Sequence, residues 1–312
     1  MVMKIKPKLN PIVKKDLQVA ARSMRLSWGL FAYEAVLALA FLMALMFIQE
    51  QSLYAYGGEN FYSYFVVLFP VLAVTQVCIV ALIVPIITAS SIAGEKERQT
   101  FDIMLTTCMS PFSIVVGKIF SAMMRILFYV AASMPVMALA FVVGGLSWSA
   151  LFYFLLTIVL LSIFSGSIGI FCSAFCRKSI SAVILSFVIY FAVFVLTFIP
   201  FVFSGIFGMS RVNFGENLLF LLFNPVVFFE EFFTQVMTGS SLLGGDGAYH
   251  VFSASDVGFV TYHLAQGKRW MFASGGCILL LSLLFMLLAA WRVNPLHASS
   301  GRRRKKKGHG NE

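Results

Sequence analysis

The sequence predicts an all-α integral membrane protein with six transmembrane helices. Six separate apolar runs carry that prediction, each long enough to cross about 30 Å of hydrocarbon at about 1.5 Å per residue. A hydrophobic fraction of 60% beside a charged fraction of 12% excludes an ordinary soluble domain. Lysine and arginine also concentrate on alternate connections, the pattern of a chain whose basic loops stay on the cytosolic side.

Residues 1–26 read as a basic amphipathic helix. Val13, Leu17, Ala20 and Met24 recur at i, i+4, i+7 and i+11, while Lys14, Lys15, Gln18, Arg22 and Arg25 lie mostly off that line. Such a helix is suited to lying in the headgroup region before the first span, or serves only as a topology anchor. The spans are predicted over residues 27–48, 66–92, 114–143, 151–175, 180–204 and 271–291. The second and third exceed what the hydrocarbon requires, so they tilt or project into the cytosol. Pro85 and Pro135 sit inside them as kink points. On the fourth span Ser165, Gly169 and Ser173 repeat every four residues, a small-residue ridge suited to close packing inside the bundle.

Glu34 and Arg125 are the two ionisable residues predicted to lie inside hydrocarbon. Counted from the cytosolic starts of their spans, both lie at about 10 Å depth for a 1.5 Å rise. Equal depth and opposite sign allow a pair that offsets the cost of burial. The other reading is that each side chain reaches back to the interface.

Orientation follows from the basic residues. Lys4, Lys6, Lys8, Lys14, Lys15, Arg22 and Arg25 precede the first span; Lys96, Arg98 and Lys118 flank the second and third. Arg177 and Lys178 separate the fourth and fifth, and Arg292 with the run 302–307 follows the sixth. The opposite side holds Arg211, Lys268 and Arg269 and most of the acids. Both termini are therefore expected in the cytosol, and the net charge of +10 is a topology signal rather than a nucleic-acid footprint. Residues 301–312 read as a disordered basic tail drawn to anionic lipid, which leaves 1–300 as one transmembrane domain. No cleavable signal peptide is evident. The five cysteines lie in spans or near the cytosolic face, so no disulfide framework is expected, and Cys172 with Cys176, lacking a nearby His, read as packing thiols rather than metal ligands.

The connection at 94–113 is the most informative stretch. It opens with Glu95, Lys96, Glu97 and Arg98, charges that cannot rest in lipid. Phe101, Met104 and Leu105 then fall at i, i+3 and i+4, one apolar stripe on a short helix with Arg98, Gln99 and Asp102 outside it. Ser110 and Pro111 read as the N-cap and first residue of the helix that re-enters the membrane. A short amphipathic helix held at the membrane face is suited to docking in a groove of another protein.

This loop resembles the cytosolic loop of ATP-binding cassette (ABC) transporter permeases of the type-2 export family. The matching positions are Glu95, Glu97, Arg98, Thr100, Leu105, Thr106, Thr107, Ser110, Gly117 and Lys118. Gln99 stands where that family commonly has Gly, and Cys108 where it commonly has Pro. The resemblance implies a membrane-spanning permease subunit of an ATP-driven exporter, in the inner membrane of a bacterial cell. It implies an ABC ATPase subunit as partner, carrying the ATP and magnesium, with no cofactor on this chain. A second permease copy or a related permease is implied as well, and in that family an elbow helix occupies the place of residues 1–26. Glu95, Glu97, Arg98, Thr100, Phe101, Met104 and Leu105 become the docking residues of a coupling helix.

Nothing in the sequence binds ATP: Gly117-Lys118 lacks the upstream Gly and the following Ser or Thr of a phosphate loop. Ser274-Gly275-Gly276 opens the sixth apolar run and reads as helix packing. Between the fifth and sixth spans, at 205–270, the stretch NLLFLLFNPVVFFEEFFTQVM is too apolar for an exposed loop, and Asn224-Pro225 divides it into pieces too short to cross. It reads as a re-entrant or interfacial hairpin whose turn is buried in protein or lines a cavity. Glu230 and Glu231 invite comparison with glutamate-pair intramembrane proteases, but no Arg follows at the spacing those enzymes use, and His250 and His263 fall in the polar part of the loop. A solvated interfacial edge or a cation-favouring outer vestibule is the simpler reading. The function class left open beside the permease is a six-helix channel or scaffold without an ATPase.

Overall fold

The computed structural model describes residues 18, 23–54, 65, 67–100, 111–143, 148–206, 218–238 and 269–293. Most of the elbow segment, the stripe residues Phe101, Met104 and Leu105, and the tail at 301–312 lie outside the described residues. The described elements are all helical: α1 (Met24–Tyr54), α2 (Leu68–Glu97), α3 (Pro111–Val143), α4 (Trp148–Phe175), α5 (Ser179–Ile206), a 3₁₀ segment (Leu218–Phe223), α6 (Pro225–Thr238) and α7 (Arg269–Val293). Among them, six helices are long and apolar enough to span a membrane: Leu26–Glu50, Leu68–Glu97, Phe112–Val143, Trp148–Phe175, Ser179–Pro200 and Arg269–Val293. These follow the six apolar runs closely. The largest departure is at the end of α2, which stays helical through its charged residues. With 30 residues in α2 and 33 in α3, these helices are about 45 and 50 Å long, more than the roughly 30 Å hydrocarbon layer.

Helix α4 is the hub. It packs against α2, α3, α5, α6 and α7. The most apolar part of α4 is 67% buried, against 22% in α1 and 11% in α5. The outward faces of those two helices carry Trp28, Phe31, Leu39 and Met46, and Ile180, Ile184, Val188 and Phe191. Apolar residues all round a helix suit a bundle whose surroundings are as oily as its core.

Small residues let α4 occupy the centre. Gly169 lies so close to α2 that a Cβ there would overlap Thr88 Oγ1 and sit 3.1 Å from the backbone nitrogen of Ala89. One turn on, Ser173 Oγ accepts hydrogen bonds from the backbone N–H of Ile92 at 3.0 Å and of Ala93 at 2.8 Å. The ridge predicted at 165, 169 and 173 is thus spent on internal packing. Below it, Ile92, Val115, Ile119, Ile170, Ala174, Ala289 and Val293 gather the ends of α2, α4 and α7 and the start of α3 into one apolar cluster.

Helix α1 packs against both α2 and α3. Tyr33 packs on Tyr129, ring centroids 5.5 Å apart, and its hydroxyl donates to Ser133 Oγ at 3.4 Å. Arg125 Nε donates to the carbonyl of Ser121 at 3.4 Å, while Glu34 Oε1 is buried with no hydrogen-bond partner. Among the described residues no ion pair between Glu34 and Arg125 is seen.

The glycines of α4 give a contrast to test. Gly169→Ala is expected to destabilise by about 2 kcal/mol or more, since the clash includes backbone that cannot rotate away. At Gly166 the nearest atoms to an added Cβ are side-chain carbons at 3.6 and 3.7 Å, ordinary contact, so Gly166→Ala should be tolerated. Thermal melting of the two purified variants against wild type checks the difference.

Candidate functional site

The last turn of α2 carries Glu95, Lys96 and Glu97, and each reaches a different helix. Successive residues point about 100° apart around the axis, so three in a row address three directions. Lys118 Nζ of α3 donates to Glu95 Oε1 at 2.7 Å, with the lysine side chain 5% and the glutamate 21% exposed. Lys96 Nζ donates to the carbonyls that end α4: Ser173 at 3.2 Å, Cys176 at 3.4 Å and Ala174 between them. Glu97 Oε2 accepts from the backbone N–H of Ser179 at 3.1 Å and from its hydroxyl at 2.8 Å, at the first residue of α5.

The signs obey helix electrostatics. Orphan carbonyls at a helix C-terminus attract a cation, and orphan N–H groups at an N-terminus attract an anion. Lys96 meets the first need for α4 and Glu97 the second for α5. One turn of α2 therefore fastens α3, α4 and α5 together at this end of the bundle. Arg292, on the last turn of α7, stands 5.6 Å from the ring centroid of Phe175 at the end of α4.

The chain then leaves α2 through a closing turn that bears on the missing glycine. Gln99 has φ 59°, in the left-handed region. Its N–H donates to Lys96 O at 3.2 Å, and the N–H of Thr100 donates to Glu95 O at 3.0 Å, the paired bonds of a left-handed C-terminal cap. Glycine is favoured here because it has no Cβ to crowd the carbonyl. Glutamine holds the same geometry under strain. Of the docking residues read from sequence, Glu95 and Glu97 bind groups of their own chain, Arg98 and Thr100 are exposed, and Phe101, Met104 and Leu105 lie outside the described residues.

At the opposite end of the bundle, Asn224 is fully buried and organises the break between the 3₁₀ segment and α6. Its Oδ1 accepts from the N–H of Val226 at 2.9 Å and of Val227 at 3.3 Å, capping α6, with Pro225 at the first helical position where no N–H is needed. Its Nδ2 donates to Thr197 Oγ1 at 2.8 Å and to Phe194 O at 3.3 Å, both on α5. Ser274 Oγ of α7 donates to Leu222 O at 2.8 Å. Two short helical pieces thus meet at a turn buried in protein. Glu230 is exposed, but Glu231 is fully buried on α6, so a solvated edge describes only the first of them.

In the sequence, Glu95 and Glu97 are assigned to docking, and Lys96 and Ser179 are given no site role. The signal was present: alternating E-K-E in a last helical turn, with a buried-span lysine 23 residues on and a serine-headed helix start following α4.

The family model described as ABC-2 family transporter protein matches residues 30–291. No curated protein matches the chain.

Two stability measurements test this geometry. Glu95→Gln is expected to destabilise by about 2 kcal/mol, because it removes the carboxylate charge that faces a buried lysine. Lys118→Met should cost less, and the double variant should recover most of the loss in a thermal-melting double-mutant cycle. Gln99→Gly should stabilise by about 1 kcal/mol by relieving the left-handed backbone, and Gln99→Ala should not.

Proposed function

This chain belongs to the ABC-2 transporter family, a multi-pass membrane protein and ABC transporter permease by that membership, and we propose that it serves an ATP-driven exporter. In this reading a separate ATPase subunit binds ATP and magnesium and hydrolyses the nucleotide. The permease supplies the path and pairs with a second copy or a related permease. It resides in the inner membrane of a bacterial cell with both termini in the cytosol. Phe101, Met104 and Leu105 seat in a groove of the ATPase, and Arg98 meets charge at its rim.

One observation supports this most: the docking stripe begins directly after the turn that ties α2 to α3, α4 and α5. A displacement of residues 101–110 would reach four helices through Glu95, Lys96 and Glu97, rather than tugging α2 alone. ATP-driven closure of the ATPases then shifts the packed spans as rigid bodies between two arrangements. No covalent chemistry on this chain is required.

Co-expression with the ABC ATPases of the same organism tests the assignment. Affinity capture of this chain should retain one of them, and Phe101→Asp combined with Leu105→Asp should release it without lowering the melting temperature. Retention by the double variant would overturn the docking residues. Absence of capture by the wild-type chain would favour the ATPase-free channel or scaffold.

A further inference from the structure

We propose that the seam between α4 and α7, at the charged end of the bundle, holds an anionic phospholipid, with its phosphate on Arg177 and Arg292 and an acyl chain along Phe175. Both arginines are exposed, so their guanidinium groups are open to a ligand. Among the described residues neither forms an ion pair with a carboxylate. Glu95 and Glu97, the acids of this end, are engaged by Lys118 and Ser179. Lys96 brings a third positive charge to the end of α4, and the charges of Arg177 and Arg292 both act on it. Like charges crowded in this way are relieved by an anion, and guanidinium groups match phosphate oxygens in geometry as well as in charge.

The apolar side of the seam points to a lipid rather than a free phosphate. Arg292 stands over the ring of Phe175, 5.6 Å from its centroid, within reach of a cation–π contact. An aromatic row runs from there away from the charges: Phe171 lies 4.8 Å from Phe175, and Phe285 of α7 lies 5.3 Å from Phe171. Phe285, Leu288 and Arg292 fall at i, i+3 and i+7, so the arginine crowns an apolar stripe of α7. Leu288 on that stripe and Phe175 beside the guanidinium are both exposed. Trp291, exposed next to Arg292, is the residue type that settles at the membrane–water boundary. Cations at the boundary end of an outward apolar seam match a ligand with an anionic head and a hydrocarbon chain. The site follows from the packing of α4 and α7 and does not depend on the proposed transport reaction or its ATPase.

Native mass spectrometry of the full chain in detergent counts individual bound lipids and tests the site. Phosphatidylglycerol should bind as the first lipid about tenfold or more tighter than phosphatidylcholine of the same chains, which has no net charge. Arg177→Gln combined with Arg292→Gln should abolish that preference and, both residues being exposed, leave the melting temperature unchanged. Arg303→Gln with Arg304→Gln removes the same charge from the tail and should keep most of the preference. Glycerol 3-phosphate, a headgroup without chains, should not displace the bound lipid at equal concentration. An equal loss in the tail variant would overturn the proposal, because net charge alone would then explain the attraction. Displacement by glycerol 3-phosphate would overturn it too, by marking a phosphate site without a lipid. Equal binding of the two lipids by the wild-type chain would do the same, whatever the folding of the variants.

Discussion

The approach of α2 to α4 at Gly169 is the constraint from which the other helix positions follow. Between helices in lipid there is little hydrophobic driving force, because the tails are as apolar as leucine; close packing and hydrogen bonds must hold the bundle. Gly169 removes the side chain that would separate the two axes, and Thr88 turns its hydroxyl back to Val84 O at 2.8 Å so that no polar group is stranded in the contact. Once α2 lies this close, Ser173 can reach its backbone and Lys96 can reach the end of α4. Bulk at Gly169 would push the last turn of α2 away from three helices at once.

Six spans, their approximate limits and the break at Asn224-Pro225 were legible because hydropathy and proline act locally. The same holds for the small-residue ridge, whose four-residue period could only serve one helix face. What the sequence did not disclose depends on register between helices. Depth counted from each span's own start, as for Glu34 and Arg125, carries no information on which residues of two helices face each other. The intrachain partners of Glu95 and Glu97 were not legible, because contacts between helices set them. Here Lys118, far along the chain, lies buried beside one of them, and the α5 N-terminus lies beside the other. Glu230 and Glu231 were indistinguishable as neighbours in sequence, yet one helical step places the first outside and the second in the core.

Gln99 shows how local strain can be read in advance without being understood. Its departure from the glycine common in the resembling family is visible in the sequence, but only the left-handed φ of 59° shows what glycine would do there. The cap also fixes the direction in which the chain leaves α2, so the strained residue sits between the fastened turn and the stretch proposed to meet an ATPase. A rigid exit suits transmission of force better than a loose one, which is a physical reason to hold an unfavourable backbone conformation in place.

Polar fastening is concentrated at the two ends of the bundle, and its chemistry differs between them. At one end, charges join α2 to α3, α4 and α5; at the other, the neutral groups Asn224 and Ser274 join the short hairpin to α5 and α7. Between these ends the contacts are largely apolar and directionless, with aromatic pairs such as Phe69 with Phe154 at 5.6 Å. Apolar surfaces can slide by a fraction of a side chain at small cost, whereas a buried ion pair or a helix cap is either made or broken. Any two-state rearrangement of these helices must therefore be decided at the ends. α5 is held at both, by Glu97 through Ser179 and by Asn224 through Thr197, so it is one helix through which a change at the charged end would be felt at the hairpin.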